Sequence, residues 1–154
     1  CYEEGKRIAE SLCYDYLRVN NTNICVARIF NTYGPRMVED DGRAISNFIC
    51  QALHKKPLTI YGDGSKERDF THVDDIVDGL IRIWHKKAYG NIFELGRGCK
   101  FSLKEVAELY TPSFGIVYKE DKKGEAQSVE CDSYLARELL GWEPKLNLKE
   151  WIKK

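Results

Sequence analysis

Residues 27–37 read Ala-Arg-Ile-Phe-Asn-Thr-Tyr-Gly-Pro-Arg-Met, and they set the expected fold class of the chain. The mostly apolar run over 24–30 predicts a short strand that is covered on both faces, as in a parallel sheet. Residues 31–35 carry turn chemistry, so we expect the strand to end there in a loop. Because ligands of open α/β sheets bind beyond the carboxyl ends of strands, this loop is the expected place of a binding site.

Helical and extended patterns alternate on both sides of this stretch. Apolar residues at spacings of three and four over 2–19 predict an amphipathic helix whose buried stripe is Ile8, Ala9, Leu12, Cys13, Tyr16 and Leu17. A helix joined by a short turn to a buried strand is half of a βαβ unit. We also expect helices near 44–55, 75–87, 103–110, 133–140 and 148–153, and strands near 58–61, 66–73, 91–96 and 115–118.

Two of these helices have recognisable starts. Asp74 or Asp75 is expected to cap the helix at 75–87. Ser102 followed by Glu105 has the spacing of a capping box for the helix at 103–110. In the helix at 75–87, the side chains expected to face inward are Ile76, Val77, Leu80, Ile81 and Trp84.

The composition limits the classes of function. Lys and Arg (24) balance Asp and Glu (24), which argues against a general nucleic-acid binder. No apolar run approaches the roughly 20 residues of a membrane-spanning helix. The six cysteines are scattered without a CxxC pair, which favours free thiols in a reducing compartment. We therefore expect no membrane span and a cytoplasmic location, setting aside any anchor upstream of residue 1.

The first residues indicate part of a longer protein. The chain opens at Cys1 without an initiator methionine and already within a helical pattern. No glycine-rich GxGxxG loop occurs in the sequence, so we expect no start of a Rossmann fold in this chain.

Tyr2 and Lys6 lie four residues apart, so on a helix they share one face. A nearby ammonium group favours the phenolate form of a tyrosine. A phenolate can accept the proton of an alcohol whose hydride leaves to a nicotinamide. The same spacing recurs at Tyr118 and Lys122 in an expected loop, so the pair alone does not identify a catalyst.

Three arginines and one asparagine are candidates for ligand binding. Arg36, Arg43 and Arg68 lie in or beside expected loops, and guanidinium groups bind phosphate oxygens with two hydrogen bonds. The alternative for each is a solvated surface arginine. Asn31 can hydrogen-bond a sugar hydroxyl, or it can simply form a turn. The histidines lack metal-ligand spacing, and loop solvation or capping explains the paired aspartates better, so we expect no metal site.

Several motifs occur together and in one order. They are Cys1-Tyr2-Glu3-Glu4-Gly5-Lys6-Arg7, the run over 27–37, Asp41-Gly42-Arg43 with Ser46-Asn47-Phe48, Tyr61-Gly62-Asp63-Gly64 with Arg68-Asp69-Phe70, and Leu140-Gly141-Trp142-Glu143-Pro144. Through these motifs and their order, the chain resembles the C-terminal half of an extended short-chain dehydrogenase/reductase of the NAD-dependent epimerase/dehydratase family. The EGKR form after the tyrosine and the NTYGPRM run resemble most closely the UDP-glucuronic acid decarboxylase (UDP-xylose synthase) group.

The resemblance implies an α/β fold with two parts. Residues 1–35 would be the end of an NAD-binding, Rossmann-like, doubly wound parallel sheet. Residues 36–154 would form mainly a small α/β subdomain that binds a sugar nucleotide. The implied cofactor is NAD, and the implied intact protein is a homodimer that associates through the helix carrying Tyr2 and Lys6.

The resemblance also implies roles for single residues. Tyr2 would take the proton of the sugar 4-hydroxyl, and Lys6 would bind the nicotinamide ribose. Thr32 and Arg43 would lie against the cofactor. The residues implied to bind the UDP-sugar substrate are Asn31, Arg36, Ser46, Asn47, Tyr61 and Arg68, with Arg68 on the diphosphate or the carboxylate.

The implied reaction is the decarboxylation of UDP-glucuronate to UDP-xylose through a 4-keto intermediate. Residues 119–132 depart from the decarboxylase pattern, and Lys123-Gly124-Glu125 is nearer to a step found in epimerase-like relatives. An NDP-hexose 4,6-dehydratase or 4-epimerase therefore remains an alternative. A truncated, non-catalytic protein that binds a nucleotide sugar or a partner protein is an alternative of another class.

Overall fold

The computed structural model describes residues 1–39, 41–110 and 114–153. Helices and strands alternate along these residues. The helices are α1 (Tyr2–Asn20), α2 (Ala44–Leu53), α3 (Val73–Lys86), α4 (Leu103–Leu109), α5 (Tyr134–Leu140) and α6 (Leu148–Ile152). The strands are β1 (Val26–Ile29), β2 (Asn31–Tyr33), β3 (Leu58–Tyr61), β4 (Glu67–His72), β5 (Ile92–Leu95), β6 (Lys100–Ser102) and β7 (Ile116–Lys119).

The strands form three small sheets. Strand β1 pairs in parallel with β5, and β3 pairs in parallel with β7. In the third sheet β4 lies between β2, to which it is parallel, and β6, to which it is antiparallel. Strands from both sides of residue 35 therefore pair with each other, and the division of the chain at that residue stays a prediction.

The chain changes partner strands at Phe30. The amide of Phe30 donates to the carbonyl of Leu95 in β5, and Asn31 is already in register with Phe70 in β4. The predicted single strand over 24–30 is therefore two strands, and the predicted loop at Asn31–Tyr33 is wrong, because β4 supplies a second ladder for these residues. Tyr33, expected in that loop, is buried in the core at 1% exposure.

Helix α1 lacks the predicted buried stripe. None of its residues is buried, and Ile8 and Leu12 are more than half exposed. Near its C-terminal end, Cys13 and Leu17 lie with Ile24 and Val26 of the following segment. A helix face is buried only where another element lies against it, and no described element covers Ile8 or Leu12.

The buried face of helix α3 agrees with the prediction at one residue. Ile76 is buried as predicted, together with Gly79 and Ile83. The other residues predicted to face inward are exposed: Val77, Leu80, Ile81 and Trp84. The helix face that contains Gly79 is buried because glycine has no side chain, which lets the helix approach β5. A Cβ at residue 79 would lie 2.9 Å from a methyl carbon of Leu95.

The cap of α3 also differs from the prediction. Neither Asp74 nor Asp75 caps the helix; the side chain of His72 accepts the hydrogen bond of the Asp74 amide at 3.2 Å. The carboxylate of Asp75 is buried and accepts from the amides of Lys145 and Leu146 at 3.1 and 2.9 Å. Asp75 thus fixes the segment after α5, and its carbonyl accepts from the indole of the buried Trp142.

Two hydrophobic cores stabilise the described residues. One joins β2, α2, β3, β4, α4 and α6, and the other joins α3, β5 and α5. The first lies beneath the edge where β2, β3 and β4 come together with α2, and it therefore supports the site described below. No helix in the described ranges is long and apolar enough to cross a membrane.

The capping box of α4 is present as predicted. The Ser102 hydroxyl accepts from the amide of Glu105 at 3.1 Å, and the Glu105 carboxylate accepts from the amide of Ser102 at 2.8 Å. These hydrogen bonds hold the pKa of Glu105 below its usual range. Ser133 lies at the corresponding place before α5, but its buried hydroxyl has no partner within the described part of the chain.

Ser102, whose hydroxyl caps α4, and Ser133, whose hydroxyl has no described partner, make a matched test of side-chain capping. Ser102→Ala removes an N-cap acceptor and is expected to lower the free energy of unfolding by about 1 kcal/mol. Ser133→Ala removes an unsatisfied buried hydroxyl and is expected to change the free energy of unfolding by less than about 0.5 kcal/mol or to raise it. Chemical denaturation of both variants measures this, and an equal loss in the two would contradict the assignment of the caps.

Candidate active site

A cavity of about 400 Å³ opens at the edge where β2, β3 and β4 meet the start of α2. Its floor is apolar, with Ile45, Phe48, Ile60 and Phe70 from the core beneath it. This volume lies in the range of small-molecule sites, which combine apolar walls with a few polar groups.

Seven of the ten residues predicted to form the site line this one cavity. They are Tyr2, Asn31, Thr32, Arg43, Asn47, Tyr61 and Arg68. They come from separate elements that are distant in sequence: α1, β2, the start of α2, β3 and β4. The parallel pairing of β2 with β4 places Asn31 and Thr32 beside the segment that carries Arg68.

Lys6, Arg36 and Ser46 are described by the structure but do not line the cavity. The Ser46 hydroxyl is buried and donates to the Asp41 carboxylate and to the carbonyl of Arg43. Asp41 also accepts from the backbone amide of Arg43 at 2.9 Å. Ser46 therefore fixes the loop that presents Arg43 to the cavity, and ligand contacts of these three residues stay predictions.

Tyr2 and Lys6 share one face of α1, as their spacing predicts. The Lys6 ammonium lies 5.5 Å from the centroid of the Tyr2 ring, within the range of a cation–π contact. Tyr2 is 73% exposed and reaches the cavity from the first turn of the helix. The second pair with this spacing differs, because Tyr118 lies on β7, where residues four apart do not share a helical face.

The charge of the cavity is mainly positive. Among the described lining residues, Arg43, Arg68 and Lys122 are cationic and Glu125 is anionic. The guanidinium of Arg68 is largely buried, donates to the carbonyl of Glu67 at 2.8 Å, and lies 3.6 Å from the Glu125 carboxylate. Asp41 lies 3.5 Å from Nε of Arg43, so the three cations face two carboxylates. Such a lining favours an anionic ligand.

Lys122 and Glu125 are lining residues that the sequence analysis did not predict. The Lys122 ammonium lies 4.5 Å from the ring centroid of Tyr61, a cation–π contact. Both residues follow β7, which runs parallel to β3 and ends beside Tyr61. Ligands of α/β sheets bind beyond the carboxyl ends of strands, and the same rule applied to β7 would have predicted that Lys122 and Glu125 lie at the site.

The segment that holds Lys122 and Glu125 is tied to the core by a buried lysine. The ammonium of Lys66, 5% exposed as a residue, hydrogen-bonds the Asp121 carboxylate and lies 3.5 Å from the Glu125 carboxylate. The hydrogen bond with Asp121 raises the pKa of Lys66 above its usual range. Lys66 therefore remains cationic and holds the loop over one wall of the cavity.

Asp69 has a structural role on the opposite face of β4 from the cavity. Its buried carboxylate accepts from the amides of Arg97 and Gly98 at 3.0 and 2.7 Å, and it lies 3.4 Å from the amide of Cys131. Side chains alternate between the faces of a strand. For this reason Arg68 and Phe70 face the cavity while Asp69 faces the loops behind it.

Two buried ionisable groups lie outside the lining of the cavity. Burial raises the pKa of Tyr33 above its usual range and raises the pKa of Cys131 to about 12. Both groups, which are neutral near pH 7 even when exposed, are thus harder still to ionise. Among the residues that the structure describes, no three His, Cys, Asp or Glu side chains are grouped to hold a metal ion.

Comparison with known proteins identifies similar sequences. The model of the NAD dependent epimerase/dehydratase family matches residues 1–96. UDP-glucuronic acid decarboxylase 2 of Arabidopsis thaliana is 46% identical over 156 residues, which are 99% of this chain and 35% of that protein. UDP-glucuronic acid decarboxylase 3 of the same plant is 46% identical over 99% of this chain and 45% of its own length. The chain thus spans less than half the length of these relatives.

Solved structures of similar fold carry nucleotide sugars or NAD. UDP-glucuronic acid 4-epimerase from Bacillus cereus, in complex with UDP-glucuronic acid and NAD, has a TM-score of 0.86 and 29% identity, covering 94% of this chain and 47% of that one. A dTDP-glucose 4,6-dehydratase from Bacillus anthracis, in complex with NAD, has a TM-score of 0.85 and 25% identity, covering 94% and 48%.

These findings confirm the predicted fold class. The chain is a mixed α/β structure with parallel strand pairs, and it matches part of Rossmann-like NAD-dependent epimerases and dehydratases. The predicted cofactor, NAD, is confirmed as the cofactor of the matching family. The roles of single site residues stay predictions.

Asp69 on β4 and Asp74 at the start of α3 make a matched pair of carboxylates, because the first is buried and the second is exposed. Asp69→Asn replaces an acceptor of backbone amides by a group that also carries an NH₂ donor, so the free energy of unfolding should fall by about 1–3 kcal/mol. Asp74→Asn, at a carboxylate that is 74% exposed, should change the free energy of unfolding by less than about 0.5 kcal/mol. Denaturant titration measures both, and a neutral Asp69→Asn would contradict the structural role of this carboxylate.

Proposed function

Because the chain belongs to the NAD dependent epimerase/dehydratase family, we propose that the whole protein decarboxylates UDP-glucuronate to UDP-xylose with NAD as its cofactor. The observation that carries this proposal is the similarity to UDP-glucuronic acid decarboxylases, which extends over 99% of the chain at 46% identity. The likeness is not confined to one motif, because it includes both the helix with Tyr2 and Lys6 and the C-terminal segment.

The charges in the cavity support a substrate with several negative groups. UDP-glucuronate carries a diphosphate and a carboxylate, and Arg43, Arg68 and Lys122 lie around the cavity. Arg68 is held in place by the Glu67 carbonyl and by Glu125, so its free guanidinium edge can bind phosphate or carboxylate oxygens with little loss of side-chain entropy. Asn31, Asn47 and Tyr61 would supply hydrogen bonds to sugar and phosphate oxygens.

The residues at the α1 side of the cavity fit the nicotinamide end of NAD. Tyr2 and Thr32 line the same cavity as Arg43, and Lys6 lies one turn after Tyr2. The Thr32 hydroxyl donates to the carbonyl of Phe30 at 3.0 Å, which leaves its lone pairs free to accept a hydrogen bond. NAD supplies a hydride acceptor when bound. Lys6 would bind the nicotinamide ribose.

Tyr2 would then perform the proton transfer. Its phenol oxygen would accept the proton of the sugar 4-hydroxyl as the C4 hydrogen leaves as hydride, which gives a 4-keto uronic acid. That product is a β-keto acid, so the C5–carboxylate bond breaks with release of CO₂ and the electron pair forms an enolate. After protonation at C5, the ketone regains its hydride and Tyr2 returns the proton, giving UDP-xylose.

We propose that Arg36 and Ser46 also contribute to substrate binding, although neither lines the cavity. Arg36 lies in the turn after β2, where its backbone has a positive φ (67°), and it is not among the described lining residues of the cavity. Ser46 would act indirectly, by fixing the loop that holds Arg43 at the cavity.

We also propose a homodimer in the whole protein, since α1 has apolar residues, including Ile8 and Leu12, that no described element covers.

Epimerisation or dehydration of an NDP-hexose is the second candidate. It is supported by the structural likeness to a UDP-glucuronic acid 4-epimerase and a dTDP-glucose 4,6-dehydratase. Glu125 and Lys122 at the cavity also lie in the segment that departs from the decarboxylase pattern. A non-catalytic nucleotide-sugar-binding protein is the remaining alternative.

Product analysis distinguishes these candidates. With NAD⁺ and UDP-glucuronate, the whole protein is expected to release CO₂ and form UDP-xylose in equal amounts, measured by trapped ¹⁴CO₂ and by NMR of the sugar nucleotide. Formation of UDP-galacturonate without CO₂ would instead establish a 4-epimerase. Turnover of dTDP-glucose with inertness toward UDP-glucuronate would establish a dehydratase, and binding without turnover of any of these substrates would establish the non-catalytic alternative.

Tyr2→Phe tests the proposed proton transfer. Because the phenylalanine ring fills the same space without a proton acceptor, kcat is expected to fall by at least about 100-fold while the Kd of UDP stays within about twofold. Steady-state kinetics and calorimetry measure the two quantities. Tyr118→Phe is the matched control, since Tyr118 has the same spacing to a lysine but lies on β7. Near-normal turnover by Tyr2→Phe would show that another group transfers the proton.

A further inference from the structure

Tyr2, Lys6 and Glu10 form one ridge along α1. Their positions recur every four residues, so the three side chains lie above one another on the same face of the helix. Tyr2 reaches the ligand cavity and Lys6 lies one turn behind it. Glu10, the third member, faces the sheet and is only 24% exposed.

Arg28 on β1 binds the last member of this ridge with two hydrogen bonds. Its Nε lies 2.8 Å from Oε1 of Glu10, and its Nη2 lies 2.7 Å from Oε2 of Glu10. The third nitrogen, Nη1, donates to Glu94 at 3.1 Å, and Glu94 is the partner of Arg28 in the parallel pairing of β1 with β5. One guanidinium thus joins the helix to both strands.

Other attachments of α1 lie further along the helix. No residue of α1 is buried. The Tyr14 hydroxyl donates to the carbonyl of Gly90 at 3.4 Å, and Cys13 and Leu17 lie near Ile24. All of these contacts come after Glu10. Among the side-chain hydrogen bonds that join α1 to other elements of the described residues, the Arg28–Glu10 pair is therefore the nearest to the turns that carry Tyr2 and Lys6.

We propose that Arg28 is a positioning residue, which sets the rotation and height of α1 against β1 through Glu10 and so places Tyr2 and Lys6 at the ligand cavity. This inference rests on the proposed function of Tyr2 and Lys6. Arg28 is also three residues before Asn31, so it joins the helix that carries Tyr2 to the segment that carries Asn31.

The chemistry of the pair suits a positioning role. A bidentate contact between a guanidinium and a carboxylate fixes orientation as well as distance, which a single ammonium does not. The hydrogen bond from Arg28 holds the pKa of Glu10 below its usual range, so the carboxylate stays ionised near neutral pH. The contact is therefore present under the conditions in which the enzyme would work.

Glu10→Gln in the whole protein tests the proposal. The amide has one acceptor oxygen where the carboxylate has two, so the fork is broken without removing bulk. Because a small displacement of a catalytic group lowers the rate strongly, kcat for UDP-glucuronate is expected to fall about 10–100-fold while KM changes less than about threefold. Arg28→Lys keeps the charge but not the fork, and it should show the same loss in kcat.

A double variant separates positioning from general stability. If Arg28 acts through Glu10, the combination of Glu10→Gln with Arg28→Lys is expected to lose no more kcat than the worse single variant. Asp15→Asn is the matched control, because Asp15 forms an ion pair with Arg18 on the same helix that does not reach the sheet. Its kcat should stay within about twofold of the wild type. All rates are normalised to the folded fraction measured by circular dichroism.

The outcomes are distinct from those for the proposed function. A normal kcat in Glu10→Gln beside an inactive Tyr2→Phe would overturn this inference alone. Additive losses in the double variant, or an equal loss in Asp15→Asn, would also overturn it. Near-full activity of Tyr2→Phe would overturn the proposed role of Tyr2 and this inference with it.

Discussion

The change of partner strands at Phe30 is the constraint on which the site depends. Up to Ile29 the chain is paired with β5, and from Asn31 it is paired with β4. A backbone that leaves one ladder must enter another or expose its polar groups. Here the second ladder begins at once, so Asn31 and Thr32 are held at the cavity by backbone hydrogen bonds and not by a free loop.

Because side chains alternate between the two faces of β4, three consecutive residues have different roles. Arg68 and Phe70 face the cavity, the first with charge and the second with apolar surface. Asp69 faces the other way and binds the amides of Arg97 and Gly98. The Arg-Asp-Phe sequence thus joins a binding function to a structural one, and the buried carboxylate supports the strand that presents the arginine.

Two arginine–carboxylate contacts, one at the cavity and one behind it, have different consequences. Arg28 binds Glu10 and Glu94 at short distances and joins a helix to two strands. Arg68 lies at 3.6 Å from Glu125, and its guanidinium remains turned toward the cavity. The first arrangement engages all three nitrogens of the guanidinium with carboxylates, whereas the second leaves Nε of Arg68 without a partner among the described residues and free for a ligand.

The sequence by itself determined the elements whose signals are local. The capping box at Ser102, the strand at 58–61 and the one-turn spacing of Tyr2 and Lys6 depend only on neighbouring residues, and the structure has all three. The order of motifs also indicated the family and seven of the residues that line the cavity, because each motif is a short stretch with its own backbone chemistry.

The tertiary structure alone decided what depends on partners distant in the chain. Hydrophobic periodicity shows that a helix has an apolar face but not which element covers it, so the exposed stripe of α1 and the buried Gly79 face of α3 were not predictable. The second ladder of residues 31–33 depends on β4, almost 40 residues away. The position of Lys122 at the cavity likewise depends on a distant partner, because the pairing of β7 with β3 brings Lys122 to Tyr61.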